Sequence, residues 1–325
     1  MRPLHLLFCL ILAAHLSGPC SGADKPKIIR SWKSSDGREL KAELLDFDAK
    51  EIKIKRMTDF QIMKVPVDKF SAEDQAFVTG LLNERWLDEG ITKGPYAEKI
   101  TGVFVKAVSK QGLNFQIFGD PKWDGSQRYP LVIWLHGSGQ SGNDNQAQMG
   151  GPTKLFTDVE HQAANPCFMI APQCPDAEIG WNKQVADNLM ALIADLTSNL
   201  PIDLKRLYLT GSSMGGFGTW SLCAKYPNVF AAGVPLCGGG DPKKADVLKN
   251  VPMWVFHGDQ DPMVPVERSR VPVEAVKAAG GILMKYTEFP GVGHSLTSLV
   301  YPKPELHSWL FEQRLAPASG TAKVE

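Results

Sequence analysis

The residues with the clearest chemistry lie in the second half of this 325-residue chain. The apolar run Leu207-Tyr208-Leu209-Thr210 enters Gly211-Ser212-Ser213-Met214-Gly215-Gly216, and a helical pattern follows. A strand that turns sharply into a helix through Gly-x-Ser-x-Gly lifts its serine clear of a sheet, so Ser213 is the candidate nucleophile. Ser212 is adjacent but outside the register. The helix N-terminus supplies backbone N–H groups that stabilise a developing oxyanion better than a ground-state carbonyl. The Met214 N–H is the expected first donor.

A serine hydroxyl needs a base, and the base needs an orienting carboxylate. After Ser213 the chain offers His257, His294 and His307. His257 follows directly on a strand, and His307 sits inside a helical pattern. His294 lies in the glycine-rich turn Pro290-Gly291-Val292-Gly293-His294-Ser295, where an imidazole is free to reach across the top of a sheet. It is the expected general base and acid. Phe256-His257-Gly258-Asp259-Gln260-Asp261-Pro262 ends another strand, and there Asp259 and Asp261 compete for the role of orienting acid. His257, Asp259 and Asp261 could instead ligate a metal. No fourth ligand is spaced nearby, and a serine mechanism needs no ion, so the expectation is no metal and no cofactor.

The elements that must position these residues fall into two groups. Ile28–Trp32, Glu39–Phe47, Glu51–Lys55 and Gln61–Val65 are expected strands, with alternation visible in Ile52-Lys53-Ile54-Lys55. Ser71, with Asp74 three positions on, starts a helix that is expected to run to about Leu82. Beyond a linker, expected strands at Phe115–Phe118, Leu131–Leu135, Cys167–Ala171, Leu207–Thr210, Gly233–Leu236, Pro252–Phe256 and Lys285–Phe289 alternate with helices. The helices are placed at Val185–Leu200, Phe217–Tyr226, Arg268–Ala279 and Glu305–Gln313. Val185, Leu189, Leu192, Ile193 and Leu196 have the spacing of one helix face. Alternating strands and helices imply an α/β fold: a doubly wound, mostly parallel sheet with helices on both faces. The expected division is 1–23 signal peptide, 24–84 small β-rich domain, 85–100 linker, 101–316 catalytic domain and 317–325 tail.

Two resemblances follow from these residues. Trp32-Lys33-Ser34-Ser35-Asp36-Gly37-Arg38, Val65-Pro66 and Phe70-Ser71-Ala72-Glu73-Asp74-Gln75 resemble a small SH3-like homology domain of the actin-patch-adaptor type, which carries no catalytic residues. Residues 101–316 resemble the α/β-hydrolase superfamily, and within it the secreted esterase, depolymerase and predicted-peptidase group. The matching pieces are His136-Gly137, Ala171-Pro172-Gln173-Cys174-Pro175, Gly211–Gly216, Tyr226-Pro227, Cys237-Gly238-Gly239-Gly240, His257–Asp261 and Gly293-His294. This resemblance assigns the acid to Asp261. It also makes Trp134-Leu135-His136-Gly137-Ser138-Gly139 the loop that turns a second N–H toward the oxyanion, Ser138 first and Gly139 second. His136 is expected to prop that loop. Trp181, in the loop Ile179-Gly180-Trp181-Asn182, is the expected substrate-facing aromatic, with His136 beside it.

Composition sets the remaining bounds. Lys plus Arg and Asp plus Glu are both 35, so bulk charge offers no footprint for nucleic acid. Met1–Ala23 has one cation, Arg2, and an apolar run from Leu4 to Leu16, too short to span a bilayer but suited to a signal peptide cleaved after Ala23. Pro19 before Cys20 argues against a lipobox. The protein is therefore expected to be exported. Four cysteines remain, Cys167, Cys174, Cys223 and Cys237, and their spacing leaves both free thiols and a bridge open. About a dozen residues separate the strand ending near Cys237 from the next near Val251, too few for a lid, so an open cleft suited to bulky or polymer-borne esters is expected. The leading function is a cofactor-free serine hydrolase of carboxylic esters, with polysaccharide-linked or other polymer-borne esters as the expected substrates. The alternatives are a serine peptidase of prolyl-oligopeptidase-like type and an adaptor whose small domain, residues 27–82, binds a protein or surface partner.

Overall fold

The computed structural model describes residues 28–48, 50–89, 95–123 and 127–315. The stretches expected to be a signal peptide and a tail, and part of the expected linker, lie outside the described residues. Strands β1 (Ile28–Lys33), β2 (Glu39–Phe47), β3 (Glu51–Arg56) and β4 (Ile62–Pro66) form an antiparallel meander in that order. Ile52 and Ile54 point inward and Lys53 outward, as a period of two requires. They pack with Trp32, Ala42, Phe70 and Val78 into a separate small core, against which Leu204 of the larger unit rests.

Helix α1 (Ala72–Glu89) begins as the Ser71 and Asp74 pairing implies: the Asp74 N–H donates to Ser71 Oγ at 3.3 Å. The buried Asp74 carboxylate also accepts from the Lys33 N–H at 2.6 Å and pairs with Arg30 at 2.7 Å, tying the helix to β1. The helix runs seven residues past the expected end at Leu82 and takes in the first part of the expected linker. No proline or glycine interrupts Asn83 to Glu89, so nothing in that stretch breaks the helical pattern.

The larger unit contains β5 (Val105–Val108), β6 (Asn114–Phe118), β7 (Tyr129–Leu135), α2 (Gly151–Thr157), α3 (Val159–Ala164), β8 (Phe168–Pro172), α4 (Lys183–Asn199), β9 (Ile202–Ser212), α5 (Met214–Lys225), β10 (Ala232–Leu236), α6 (Ala245–Leu248), β11 (Met253–Gly258), α7 (Glu267–Ala278), β12 (Met284–Phe289), α8 (Thr297–Val300) and α9 (Pro304–Glu312). Its eight strands are ordered β12-β11-β10-β9-β7-β8-β6-β5. All pairs are parallel except β5 with β6 and β6 with β8.

Every residue of β7 is buried, and its alternation feeds two cores. Leu131, Ile133 and Leu135 meet Leu189, Leu192 and Leu196 of α4 on one face. Val132 and Trp134 meet Tyr301, Leu306 and Leu310 on the other. Burying each leucine contributes about 2 kcal/mol relative to leaving it exposed. Strand order reverses between β7 and β9, and ligands of open α/β sheets bind where the carboxyl ends of the strands diverge at such a switch. The segment 237–252 between β10 and β11 holds only a single 3₁₀ turn, Pro242–Lys244, and the four-residue α6.

Among the described residues no helix is long and apolar enough to cross a membrane. Cys167, Cys174, Cys223 and Cys237 are all buried and free.

Candidate active site

Ser213 stands between β9 and α5 with φ 57° and ψ −118°, a backbone conformation that L side chains rarely adopt. Such strain persists only where the surroundings hold it. Here the Ser213 N–H donates to Leu236 O at 3.0 Å, and Ser213 O accepts from the Phe217 N–H at 3.0 Å. The turn also needs a glycine two residues on, because a Cβ at Gly215 would fall 1.9 Å from Leu135 O. That close approach brings the end of β7 against the first turn of α5. Met214 opens this helix, so its N–H belongs to the first-turn donors that have no intrahelical partner.

The loop after β7 carries the second expected donor. Cys174 N–H donates to His136 Nε2 at 2.9 Å, so His136 is protonated on Nδ1, which donates to Gly137 O at 2.7 Å. Gly137 O also accepts from the Gln140 N–H at 3.1 Å. The C=O and N–H of one trans peptide unit point in opposite directions. Holding the Gly137 carbonyl toward His136 therefore turns the Ser138 N–H the other way. The Gly137 N–H is itself held by Gln140 Oε1 at 3.1 Å, and Gln173 Nε2 holds Gln140 O at 3.2 Å. Burial lowers the His136 pKa, which keeps the ring neutral in this bracing role.

Two expectations are corrected here. His136 is fully buried, so it shapes the loop and does not meet substrate. Trp181 is 1% exposed, and its indole N–H donates to His136 O at 3.1 Å. Its ring packs edge-on against His136, so it is a loop support and not a substrate platform. A polar tip that finds a partner inside the loop lets an aromatic in a polar, glycine-rich stretch be buried.

The carboxyl ends of β11 and β12 bring the remaining partners together. A Cβ at Gly258 would sit 2.2 Å from Val292 O, so only glycine lets the end of β11 touch the turn that carries His294. Across that contact His294 Nδ1 meets Asp261 Oδ2 at 2.6 Å. Asp261 Oδ1 accepts from the Met263 and Val264 N–H groups, both at 2.9 Å. Burial opposes its charge, yet the Val264 N–H, His294 and the Met263 N–H together hold its pKa below the ordinary value. Asp259 points elsewhere: its Oδ1 accepts from the Gly291 N–H at 2.7 Å and staples the turn. With Nδ1 committed to Asp261, the Nε2 of His294 is the ring nitrogen left for a proton transfer.

His257 and Cys237 belong to this centre in ways the spacing does not disclose. His257 accepts at Nδ1 from Ser269 Oγ at 2.7 Å and donates from Nε2 to Val264 O at 2.9 Å, with Nε2 also 3.3 Å from Asp261 Oδ2. It braces the acid from below. Cys237 follows β10 at φ 38°, fully buried, with its Sγ 3.3 Å from Ser212 Oγ. Contact with Cys237 and the bond to Asp261 outweigh partial burial and raise the His294 pKa to about 9. The strained backbone at Cys237 is the signal that marks it, and it is visible only in three dimensions.

Ser213 and His294 line one open cleft of about 320 Å³ together with Ser138, Gln140, Met263 and Thr297. Among the described residues that line it, His294 is the one titratable side chain. A hydroxyl on a strained turn, an imidazole oriented by a carboxylate, and backbone N–H groups at the loop after β7 and the start of α5 are the parts that acyl transfer requires.

The sequence profile of the dienelactone hydrolase family matches residues 176–302, the stretch that contains Ser213, Asp261 and His294. Acyl-protein thioesterase 1 of Gibberella zeae is 34% identical, over 52% of this chain and 85% of its own. Poly(3-hydroxyalkanoate) depolymerase C of Paucimonas lemoignei is 31% identical over 34% of this chain, and the match spans 28% of the depolymerase. The solved structure of a thermostable esterase is 33% identical with a TM-score of 0.61, covering 65% of this chain and 63% of its own. The order of the strands, the glycine-framed turn and this similarity agree, and the chain belongs to the α/β-hydrolase superfamily, among the esterases to which acyl-protein thioesterase 1 belongs.

Proposed function

We propose that this protein is an exported serine esterase that cleaves carboxylic esters with uncharged acyl groups through an acyl-enzyme. Ser213 attacks the acyl carbon while His294 takes its proton. The tetrahedral oxyanion sits on the Met214 and Ser138 N–H groups, and Asp261 stabilises the imidazolium. His294 then returns the proton to the leaving alcohol, and water repeats the cycle on the acyl-enzyme. The observation that carries this reading is the 2.6 Å contact of His294 with Asp261 beside Ser213 in one cleft. The cleft's lack of Lys, Arg, Asp and Glu supports the uncharged acyl group, and its openness supports a bulky or polymer-borne alcohol. The small N-terminal unit is read as an SH3-like module that attaches the enzyme to a surface or partner.

The test compares p-nitrophenyl butyrate, the feruloyl ester, the monosuccinyl ester and the p-nitroanilide of butyrate. Both uncharged esters should turn over at least tenfold faster in kcat/KM than the succinyl ester, with little anilide cleavage. A fluorophosphonate should label Ser213 and stop turnover. Preference for the anilide would favour the peptidase, and label on another serine would displace the mechanism.

The pH profile gives a separate check. His294 must be neutral to accept the Ser213 proton, so activity should rise as pH passes through its pKa. Free imidazole would place that limb at roughly pH 6 to 8, whereas the neighbours of His294 move it toward about 9. Cys237→Ala should lower its midpoint. A midpoint that stays in place in Cys237→Ala would contradict the part given to Cys237 in raising it.

A further inference from the structure

Cys237, Asp261 and His294 come from the ends of three neighbouring strands, and one donor atom from each lies within 4.8 Å of the other two. Sulfur, carboxylate oxygen and imidazole nitrogen make up a ligand set suited to Zn²⁺. In a tetrahedral site of that ion the donors stand about 3.5 Å apart, so small side-chain shifts close this group around it. The carboxylate is already oriented, with Oδ1 held by two N–H groups and His257 Nε2 beside Oδ2 at 3.3 Å. Bracing of that kind from outside the ligand set strengthens metal sites. Asp261 and Cys237 are buried, while His294 faces the cleft, which provides both the access path and an open fourth position. The metal reading of the sequence named a different set. His257 and Asp259 are committed to Val264, Ser269 and Gly291, and among the described residues the group of three includes neither.

We infer that Cys237, Asp261 and His294 form an inhibitory site for a thiophilic divalent cation such as Zn²⁺, which shuts off the esterase by taking its base. The inference rests on the serine-esterase reading for its consequence, though not for the binding itself. Coordination releases the Cys237 thiol proton to solvent. An ion on Nε2 of His294 occupies the lone pair that receives the Ser213 proton. An ion on Nδ1 takes the place of the proton shared with Asp261, which moves to Nε2 as the ring changes tautomer. Either way the ring has no free basic nitrogen, and Ser213 is not activated. Chelators therefore leave a metal-free enzyme unchanged and restore an inhibited one.

The experiment titrates the full chain with Co²⁺ and reads the near-ultraviolet thiolate-to-metal absorption, alongside Zn²⁺ inhibition of p-nitrophenyl butyrate hydrolysis. The expected result is one Co²⁺ per chain with the thiolate band, Zn²⁺ inhibition reversed by EDTA, and no effect of Mg²⁺. Cys237→Ser should abolish the band and raise the inhibitory Zn²⁺ concentration at least tenfold. His294→Ala, at the cleft surface, should weaken Co²⁺ binding at least tenfold while circular dichroism stays unchanged. Absence of the band, or equal Zn²⁺ inhibition of wild type and Cys237→Ser, would overturn the inference. Ser213→Ala should keep the band. A band in a wild-type protein that hydrolyses no ester would sink the serine-esterase reading and leave the metal site standing.

Discussion

Ser213→Ala should lower kcat/KM for a p-nitrophenyl ester by about 10⁴-fold or more, and His294→Ala should do the same. The two side chains act as one unit, since the hydroxyl is a weak nucleophile without a base and the base has nothing to activate without the hydroxyl. The double variant should therefore be little worse than either single variant, with residual turnover coming from the oxyanion donors and binding. Alanine carries the same strain at φ 57° as serine, and the Ser213 N–H and C=O bonds to Leu236 and Phe217 are backbone bonds. The fold should accordingly survive, which circular dichroism and thermal unfolding check. Near-normal turnover by Ser213→Ala would remove the mechanism altogether.

The second large effect separates two acids two residues apart. Asp261→Asn should cost about 10⁴-fold in kcat, because an amide facing Nδ1 no longer fixes the tautomer that leaves Nε2 free or stabilises the imidazolium. Asp259→Asn should cost less than tenfold. The amide oxygen of asparagine can still accept from the Gly291 N–H, and Asp259 makes no contact with the imidazole. The net loss of such a surface bond is about 1 kcal/mol of stability at most. Steady-state kinetics of the two variants decide the matter, and the reverse ranking would move the orienting acid to Asp259.

What was legible in the sequence is what local backbone physics encodes. The turn at Ser213 is written in consecutive residues, because small side chains at Gly211 and Gly215 are the condition for a strand to crowd into a helix. The alternation at Ile52 and Ile54 and the stripe from Val185 to Leu196 likewise report their own faces, and the strands and helices appear where those patterns place them. Single weak elements escaped: β5, a four-residue edge strand, and the short helices α2 and α3 bury too few apolar residues to stamp a period.

The choice between Asp259 and Asp261 was of another kind. Both end the same strand with the same chemistry, and the register of β11 against β12, with Gly258 pressed on Val292, is what turns one toward His294 and the other toward Gly291. Trp181 looked available because its neighbours are polar and small, yet the fold had a carbonyl waiting for its N–H at His136. Cys237 and His257 stood within recognisable motifs, but nothing in their spacing showed that they touch His294 and Asp261. Chain positions 237, 257, 261 and 294 become one centre because parallel strands β10, β11 and β12 end side by side. Sequence periodicity describes each strand's own two faces; which strand ends become neighbours depends on pairing between distant segments, and only packing settles that.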